Sequence, residues 1–195
     1  MWHVPHEAAP ALREFASILR RHAGRVDLVS PGDLERLESR HIADSLKALA
    51  AVEDAPAGPA VDVGSGAGLP GIPLAIASGR PWRLLEPRLR RAAFLEEVVR
   101  ELSLECEVLR LTAEEAARDP ALAGCHSIAT ARAVAEPSGS FQLLLPLVAA
   151  GGRALVWLGK TSEIPPETQE VAPGVAMMEL QAIERENLEQ DGDPQ

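Results

Sequence analysis

Cysteine is nearly absent. The 195 residues hold two, Cys106 and Cys125, far apart in the chain. Two such thiols build neither a disulfide framework nor a metal knuckle, so they read as buried free thiols of a reducing compartment. Long apolar runs are missing as well: none approaches the roughly 20 residues of a membrane span. The start, MWHVPHEAAP, lacks the basic-then-apolar pattern of a signal peptide. The expectation is a cytoplasmic chain, with no membrane partner and no metal. There is no internal repeat and no long low-complexity tract. Aromatic residues make up only 3% of the chain. Trp82 and Trp157 fall on predicted strands and read as core, not as base-stacking platforms, and Trp2 lies on an end expected to fray.

Positive charge is also scarce, with a net charge of −10. That balance argues at first against nucleic acid. Its distribution changes the reading. Residues 161–195 carry nine acids and one base, whereas residues 80–100 hold six arginines and three glutamates. A basic patch on the body can still meet phosphates, because docking responds to the local field. What remains is an ordinary globular composition, 46% hydrophobic and 25% charged, with length for one compact domain and a small appendage.

Helical spacing opens the chain. Leu12, Phe15, Ala16, Leu19 and Ala23 recur on one side of residues 7–23, and Gly24 ends the run. Turn chemistry at Ser30–Asp33 precedes a second predicted helix carrying Leu34, Leu37, Ile42, Leu46 and Leu49. EDAPAGPA (53–60) breaks it. Strand and helix then alternate. Strands are predicted at 61–63, 82–86, 106–111, 127–131 and 152–158, with helices at 71–78, 87–102, 112–118 and 137–149. Such alternation means right-handed crossovers and a parallel sheet covered on both faces. Ligands of such sheets bind beyond the carboxyl ends of the strands.

VDVGSGAGLPG (61–71) occupies that position. Gly66-Ala-Gly68-Leu-Pro-Gly71 fits the dinucleotide pattern G-x-G-x-x-G, and Glu86 fits the acid that bonds a ribose hydroxyl. A nicotinamide or flavin enzyme is therefore one candidate. Charge favours another. A pyrophosphate is doubly anionic and suits a helix N-terminus free of carboxylates, whereas Asp62 stands almost beside this one. S-adenosylmethionine has no phosphate and carries an ammonium and a sulfonium, so an acid at the strand end suits it, directly or through water. The glycines let its body approach the backbone, because no side chain intervenes.

These residues resemble a known family. DVGSGAGLPGIPLAI (62–76) is similar to the glycine motif of the GidB family, also called RsmG. Its bacterial members transfer methyl to a guanosine of 16S ribosomal RNA, giving 7-methylguanosine. RHIADSL (40–46) is similar to the family's upstream helical motif, LLEPRLRRAAFLEEV (84–98) to its second strand and following helix, and TARAVAEP (130–137) to a later segment. The resemblance covers about residues 12–160.

It implies a Rossmann-like class I S-adenosylmethionine-dependent methyltransferase, α/β with a mostly parallel sheet and helices on both faces. Residues 1–52 would be an N-terminal helical extension, 53–182 the catalytic core, and 183–195 an acidic flexible tail. The donor site would comprise Gly64 and Leu69 of the loop, Ala113 and Glu114 beside the adenine, and Arg132 after the fourth strand. The charge and ribose arguments add Asp62 and Glu86, and Ser65, Gly66 and Gly68 complete the loop. Arg88, Arg90, Arg91 and Lys160 are candidates for RNA phosphates. The partner would be 16S rRNA or the small ribosomal subunit, met by a monomer, and S-adenosylhomocysteine would be the product.

The chain departs from the family pattern in three places. Asp27-Leu28-Val29 stands where N-L-T is usual, Gly159-Lys160 where Lys-Gly is usual, and a polar acidic ERENLEQDGDPQ near the end leaves the last strand short or absent. Methylating a ring nitrogen with a free lone pair needs no general base, so no catalytic dyad is expected; Arg132 is the one catalytic candidate. His41 and Asp44 share a helix face, a spacing that favours capping or packing over chemistry. A methyltransferase with another acceptor, a donor-binding relative that only docks on ribosomal particles and, remotely, an NAD-dependent oxidoreductase stay open at this point.

Overall fold

The computed structural model describes residues 5–22, 26, 28–159 and 162–181. Trp2, Asp27, Lys160 and the 183–195 tail lie outside the described residues. Helix α1 (Ala9–His22) buries Leu12, Phe15, Ala16 and Leu19 of the expected stripe and Ile18 besides, while Ala23 and Gly24 lie outside the described residues.

The second predicted helix is not continuous. It runs as α2 (Pro31–Leu34), a π-helical turn (Leu37–Ile42), α3 (Ala43–Ser45), a 3-10 turn (Leu46–Ala48) and α4 (Leu49–Glu53). Five short pieces in place of one helix let both sides of the segment find partners. Leu37, Ile42 and Leu46 join the core beneath α1, Ala48, Leu49 and Val52 join a second cluster over the sheet, and Glu35, Arg36, Glu38, Ser39 and Arg40 are exposed.

The sheet has seven strands: β1 (Ala60–Val63), β2 (Trp82–Leu85), β3 (Cys106–Leu109), β4 (His126–Arg132), β5 (Val148–Trp157), β6 (Gln169–Ala172) and β7 (Val175–Glu179). Their order is β3-β2-β1-β4-β5-β7-β6. The first five are parallel and β6 and β7 antiparallel. This is the Rossmann-like, mostly parallel α/β sheet that the resemblance implies, its parallel part the one the alternation predicts. The strand order reverses between β1 and β4, which opens a crevice at their carboxyl ends.

Alternation along β1 sorts the two faces. Ala60 packs with Trp82, Ile128 and Leu155 under α4 and α5 (Gly71–Ser78). Val61 and Val63 pack with α7 (Ala113–Arg118) and α8 (Pro137–Leu144) on the other side. Helix α6 (Leu89–Glu101) closes the first face through Phe94, Leu95 and Val98. Each fully buried Leu, Ile or Phe contributes about 1.5–3 kcal/mol. Trp82 and Trp157 are buried, 1% and 6% exposed, as core residues should be.

Three expectations need correction. Beyond the five expected strands two more are present: Gln169–Ala172 and the short, five-residue Val175–Glu179, which pairs antiparallel with β5 from Arg153↔Glu179 to Trp157↔Val175, while ERENLEQDGDPQ lies outside the described residues. The helix after β4 stops at Leu144, where a 3-10 turn holding Pro146 takes over, and β5 begins at Val148. Proline offers no N–H to continue an α-helix. Cys125 is exposed and not buried, because it follows the turn at Gly124. Cys106 is half-buried, and burial pushes its thiol up to about 12, which keeps it protonated and inert.

Candidate functional site

The loop after β1 is laid across the ends of β1 and β2 by a short set of hydrogen bonds. Ser65 N–H donates to Leu85 O at 3.0 Å, and its hydroxyl donates to Asp62 O at 3.0 Å. Gly66 N–H donates to Glu86 Oε2 at 3.0 Å, and Arg88 N–H donates to the other oxygen at 2.8 Å. Glu86 is thus the clamp that ties the loop to the start of α6.

The glycines do different things. Gly66 has φ +54, and a side chain there would meet nothing closer than Gly64 O at 3.7 Å and Arg91 Nη1 at 3.8 Å, so it keeps the cleft floor bare. Gly71 has no unusual φ; a Cβ there would stand 2.8 Å from Asp62 and from Leu84, so it lets α5 press onto the sheet. Gly68 faces Ile72 and Leu95, which makes it a packing residue.

Asp62 lies wholly beneath the loop. Thr130 Oγ1 donates to its Oδ1 at 2.6 Å, while Oδ2 has no hydrogen-bond partner among the described residues. Burial pushes this carboxyl up to about 6, against the downward pull of the Thr130 and Ser65 hydroxyls, the Arg132 charge and the nearby Gly71 amide. An acid held this way adds negative potential under the loop without touching the cleft.

Above the loop is a cleft of about 1140 Å³. Gly64, Ser65, Gly66, Ala67 and Leu69 form its floor, with Arg91 of α6 at one side and Arg132 and Ala133 at the end of β4. Ala133 adopts φ +56, a left-handed conformation that L-residues rarely hold and that clusters at working sites. The opposite wall comes from the N-terminal segment: Asp33, Arg40, His41, Asp44 and Lys47. Asp44 Oδ2 is 3.6 Å from Arg132 Nη1 and Oδ1 is 2.6 Å from Lys47 Nζ. Asp33 Oδ1 is 3.0 Å from Arg40 Nη1 and 3.2 Å from His41 Nε2. The Ser30 hydroxyl, foremost, and His41 hold Asp33 below the usual carboxylate range. Burial lowers the Arg132 pKa, opposed by the charges of Asp44 and Asp62.

Of the residues expected at the site, Gly64, Ser65, Gly66, Leu69, Arg91 and Arg132 line one cleft. Asp62 and Glu86 support it from below. Ala113 and Glu114 sit at the start of α7, where a capping box between Thr112 and Glu115 fixes the helix, and they do not line the cleft. The Glu114 carboxyl is held below its usual range, chiefly by a backbone N–H and then by the Thr112 hydroxyl. Arg88 and Arg90 are exposed and do not line the cleft; of the three only Arg91 does. His41 and Asp44 were expected to cap or pack; both line the cleft instead. The signal for this wall was present: Arg40, His41, Asp44 and Lys47 recur at spacings of one, three and three, which place charge on one side of a helical segment.

The residues fit a cationic, phosphate-free nucleoside. The floor is bare backbone where a Cβ would intrude, one carboxylate oxygen beneath it lacks a partner, and the clamp acid Glu86 sits at the end of β2. Among the described residues no group of three His, Cys, Asp or Glu side chains is placed to hold a metal ion. No described helix is long and apolar enough to cross a membrane.

Known proteins resemble this chain along most of its length. The model of GidB, described as rRNA small subunit methyltransferase G, matches residues 8–190. Ribosomal RNA small subunit methyltransferase G of Granulibacter bethesdensis is 40% identical over 160 residues, spanning 82% of this chain and 72% of that protein. The protein of that name from Corynebacterium jeikeium is 41% identical over 164 residues, with the same coverage of 82% and 72%. Among solved structures, a Corynebacterium glutamicum protein is 11% identical and superposes over 91% of this chain and 92% of its own with a TM-score of 0.59, a likeness of fold.

Proposed function

Since this chain belongs to the GidB family, rRNA small subunit methyltransferase G, we propose that it transfers a methyl group from S-adenosylmethionine to the N7 ring nitrogen of a guanosine in 16S rRNA. The observation that carries the donor is the bare glycine floor above a buried, half-partnered Asp62. When bound, S-adenosylmethionine supplies an electrophilic methyl on a sulfonium. The chain's own work is then to bind, orient and exclude water. Gly64, Ser65, Gly66 and Leu69 hold the donor's body, Glu86 accepts from the ribose hydroxyls while keeping the loop shut, and the Asp62 charge favours the cationic amino-acid portion.

N7 of guanine has a lone pair and no proton to lose, so the protein needs no general base. Positioning of this kind contributes up to roughly 7–11 kcal/mol in ideal cases. Arg132 and Ala133 form the edge over which the base would enter. Residues 1–52 act in this reading as an extension that builds the acceptor wall on a core of 53–182. The chain works as a cytoplasmic monomer, with Arg91 and the exposed Arg88 and Arg90 reaching RNA phosphates.

Two measurements test this. Calorimetric titration should show binding of S-adenosylmethionine and none of NADH; the reverse sinks the donor assignment. Transfer of tritiated methyl should label small-subunit RNA or particles that lack the modification, and the label should map to 7-methylguanosine. Donor binding without transfer to either form points to another acceptor or to a docking protein.

A further inference from the structure

Asp44 stands where three elements meet. Its main-chain carbonyl accepts from Trp157 Nε1 at 2.9 Å, which fastens α3 to the end of β5. Its side chain has separate partners: Lys47 Nζ at 2.6 Å and Arg132 Nη1 at 3.6 Å. Lys47 also donates to Pro173 O at 3.1 Å, in the turn between β6 and β7. The fold contact of Asp44 therefore runs through its backbone and the electrostatic contact through its carboxylate.

Arg132 feels two acids, Asp44 beside it and Asp62 below. A long guanidinium with two anions in range has two places to rest. Arg132 and Asp44 side chains are 18% and 31% exposed, so solvent screens the pair only in part. We infer that Asp44 is a positioning residue that holds Arg132 and Lys47 on one wall of the cleft and keeps Arg132 off Asp62. The Asp62 charge then stays available to the cationic end of the donor. This role rests on the methyltransferase reading above.

The Asp44→Asn variant tests it, because asparagine keeps the shape and the main-chain carbonyl and removes only the charge. S-adenosylmethionine should bind about tenfold more weakly, the effect of roughly 1.4 kcal/mol, with the melting temperature unchanged. Asp44→Glu should restore most of the affinity. Asp44→Asn placed on Arg132→Gln should bind no worse than Arg132→Gln alone, since residues acting through one another are non-additive. Full additivity, donor affinity within twofold of wild type, or a melting temperature that falls in step with affinity in both Asp44 variants each overturns the assignment. Wild-type protein that binds no S-adenosylmethionine fails the methyltransferase reading itself; wild type and Asp44→Asn binding equally fails only the role of Asp44.

Discussion

Asp62 meets no solvent, and its carboxyl sits at about 6 against an ordinary 3.8. The folded state thus binds more protons than the unfolded one between those two values. The stabilising contribution of this group is full below the ordinary value and is lost as pH rises through the folded one. Relative to Asp62→Asn, wild type should lose on the order of 2–3 kcal/mol between pH 4 and pH 7, by the ~1.4 kcal/mol per pKa unit of linkage. Urea unfolding of both proteins across that range measures it, and parallel curves would count against a buried, titrating acid.

The loop glycines make a second test at the same scale. Gly66→Ala puts a methyl into open cleft at φ +54; it should cost about 1–3 kcal/mol of strain and at least tenfold in donor affinity. Gly71→Ala drives a Cβ to 2.8 Å from Asp62 and Leu84, an overpacking that costs typically 1–3 kcal/mol or more and acts mainly on stability. Unfolding and donor binding measured together separate them; a Gly66→Ala protein that binds normally would show that the floor is not the donor site.

At the scale of elements, the carbonyls of Ala55, Pro56 and Gly58 between α4 and β1 are all met by one side chain. The Arg80 guanidinium donates to Ala55 O and Pro56 O, each at 2.7 Å, and to Ser127 Oγ at 3.2 Å. Lysine cannot reproduce that fork. Arg80→Lys should lower stability by about 1–2 kcal/mol in denaturant unfolding and leave donor affinity unaltered, because no donor residue lies near it; an unchanged midpoint would show that the breaker segment holds itself. Nothing in EDAPAGPA announced this anchor, since a turn signal does not say who satisfies its carbonyls.

The legible elements were those with one strong local cause. Helix α5 was readable to the residue because Gly71 and Pro73 open it and Gly79, at φ +62, closes it. The β6–β7 hairpin was missed because β6 is a half-exposed edge and Val-Ala-Met-Met-Glu lacks a strand's usual β-branched run. Its one local signal, Pro173-Gly174 with Gly174 at φ +79, was there to be read. The broken N-terminal segment was illegible for a different reason. Its periodicity is helical, and the contacts that hold its broken form include partners far along the chain, Arg132 and Trp157.

Across the whole molecule, charge is divided between a cleft with cations on its walls and a chain that is acidic overall. Arg40, Lys47, Arg91 and Arg132 line the cleft with Asp33, Asp44 and Glu170 among them, and the net charge is −10. An RNA approaching such a body is attracted at short range and repelled at long range. Residues 183–195 hold five acids and one base, so ending the chain at 182 removes about four net negative charges while sparing every described strand. Long-range repulsion acts on the encounter rate and is screened beyond about 10 Å at 0.1 M salt. The shortened protein should therefore show a severalfold higher kcat/KM on small-subunit RNA at low salt, and the two proteins should converge as salt approaches about 1 M, where the screening length is near 3 Å. Its donor affinity should equal that of the full chain, since the donor is small and bound over the glycine floor. Methyl-transfer rates measured across a salt series decide this. Equal kcat/KM at low salt would mean that the acidic residues do not act on the approach of RNA, and a gap that persists at high salt would mean that they act by contact.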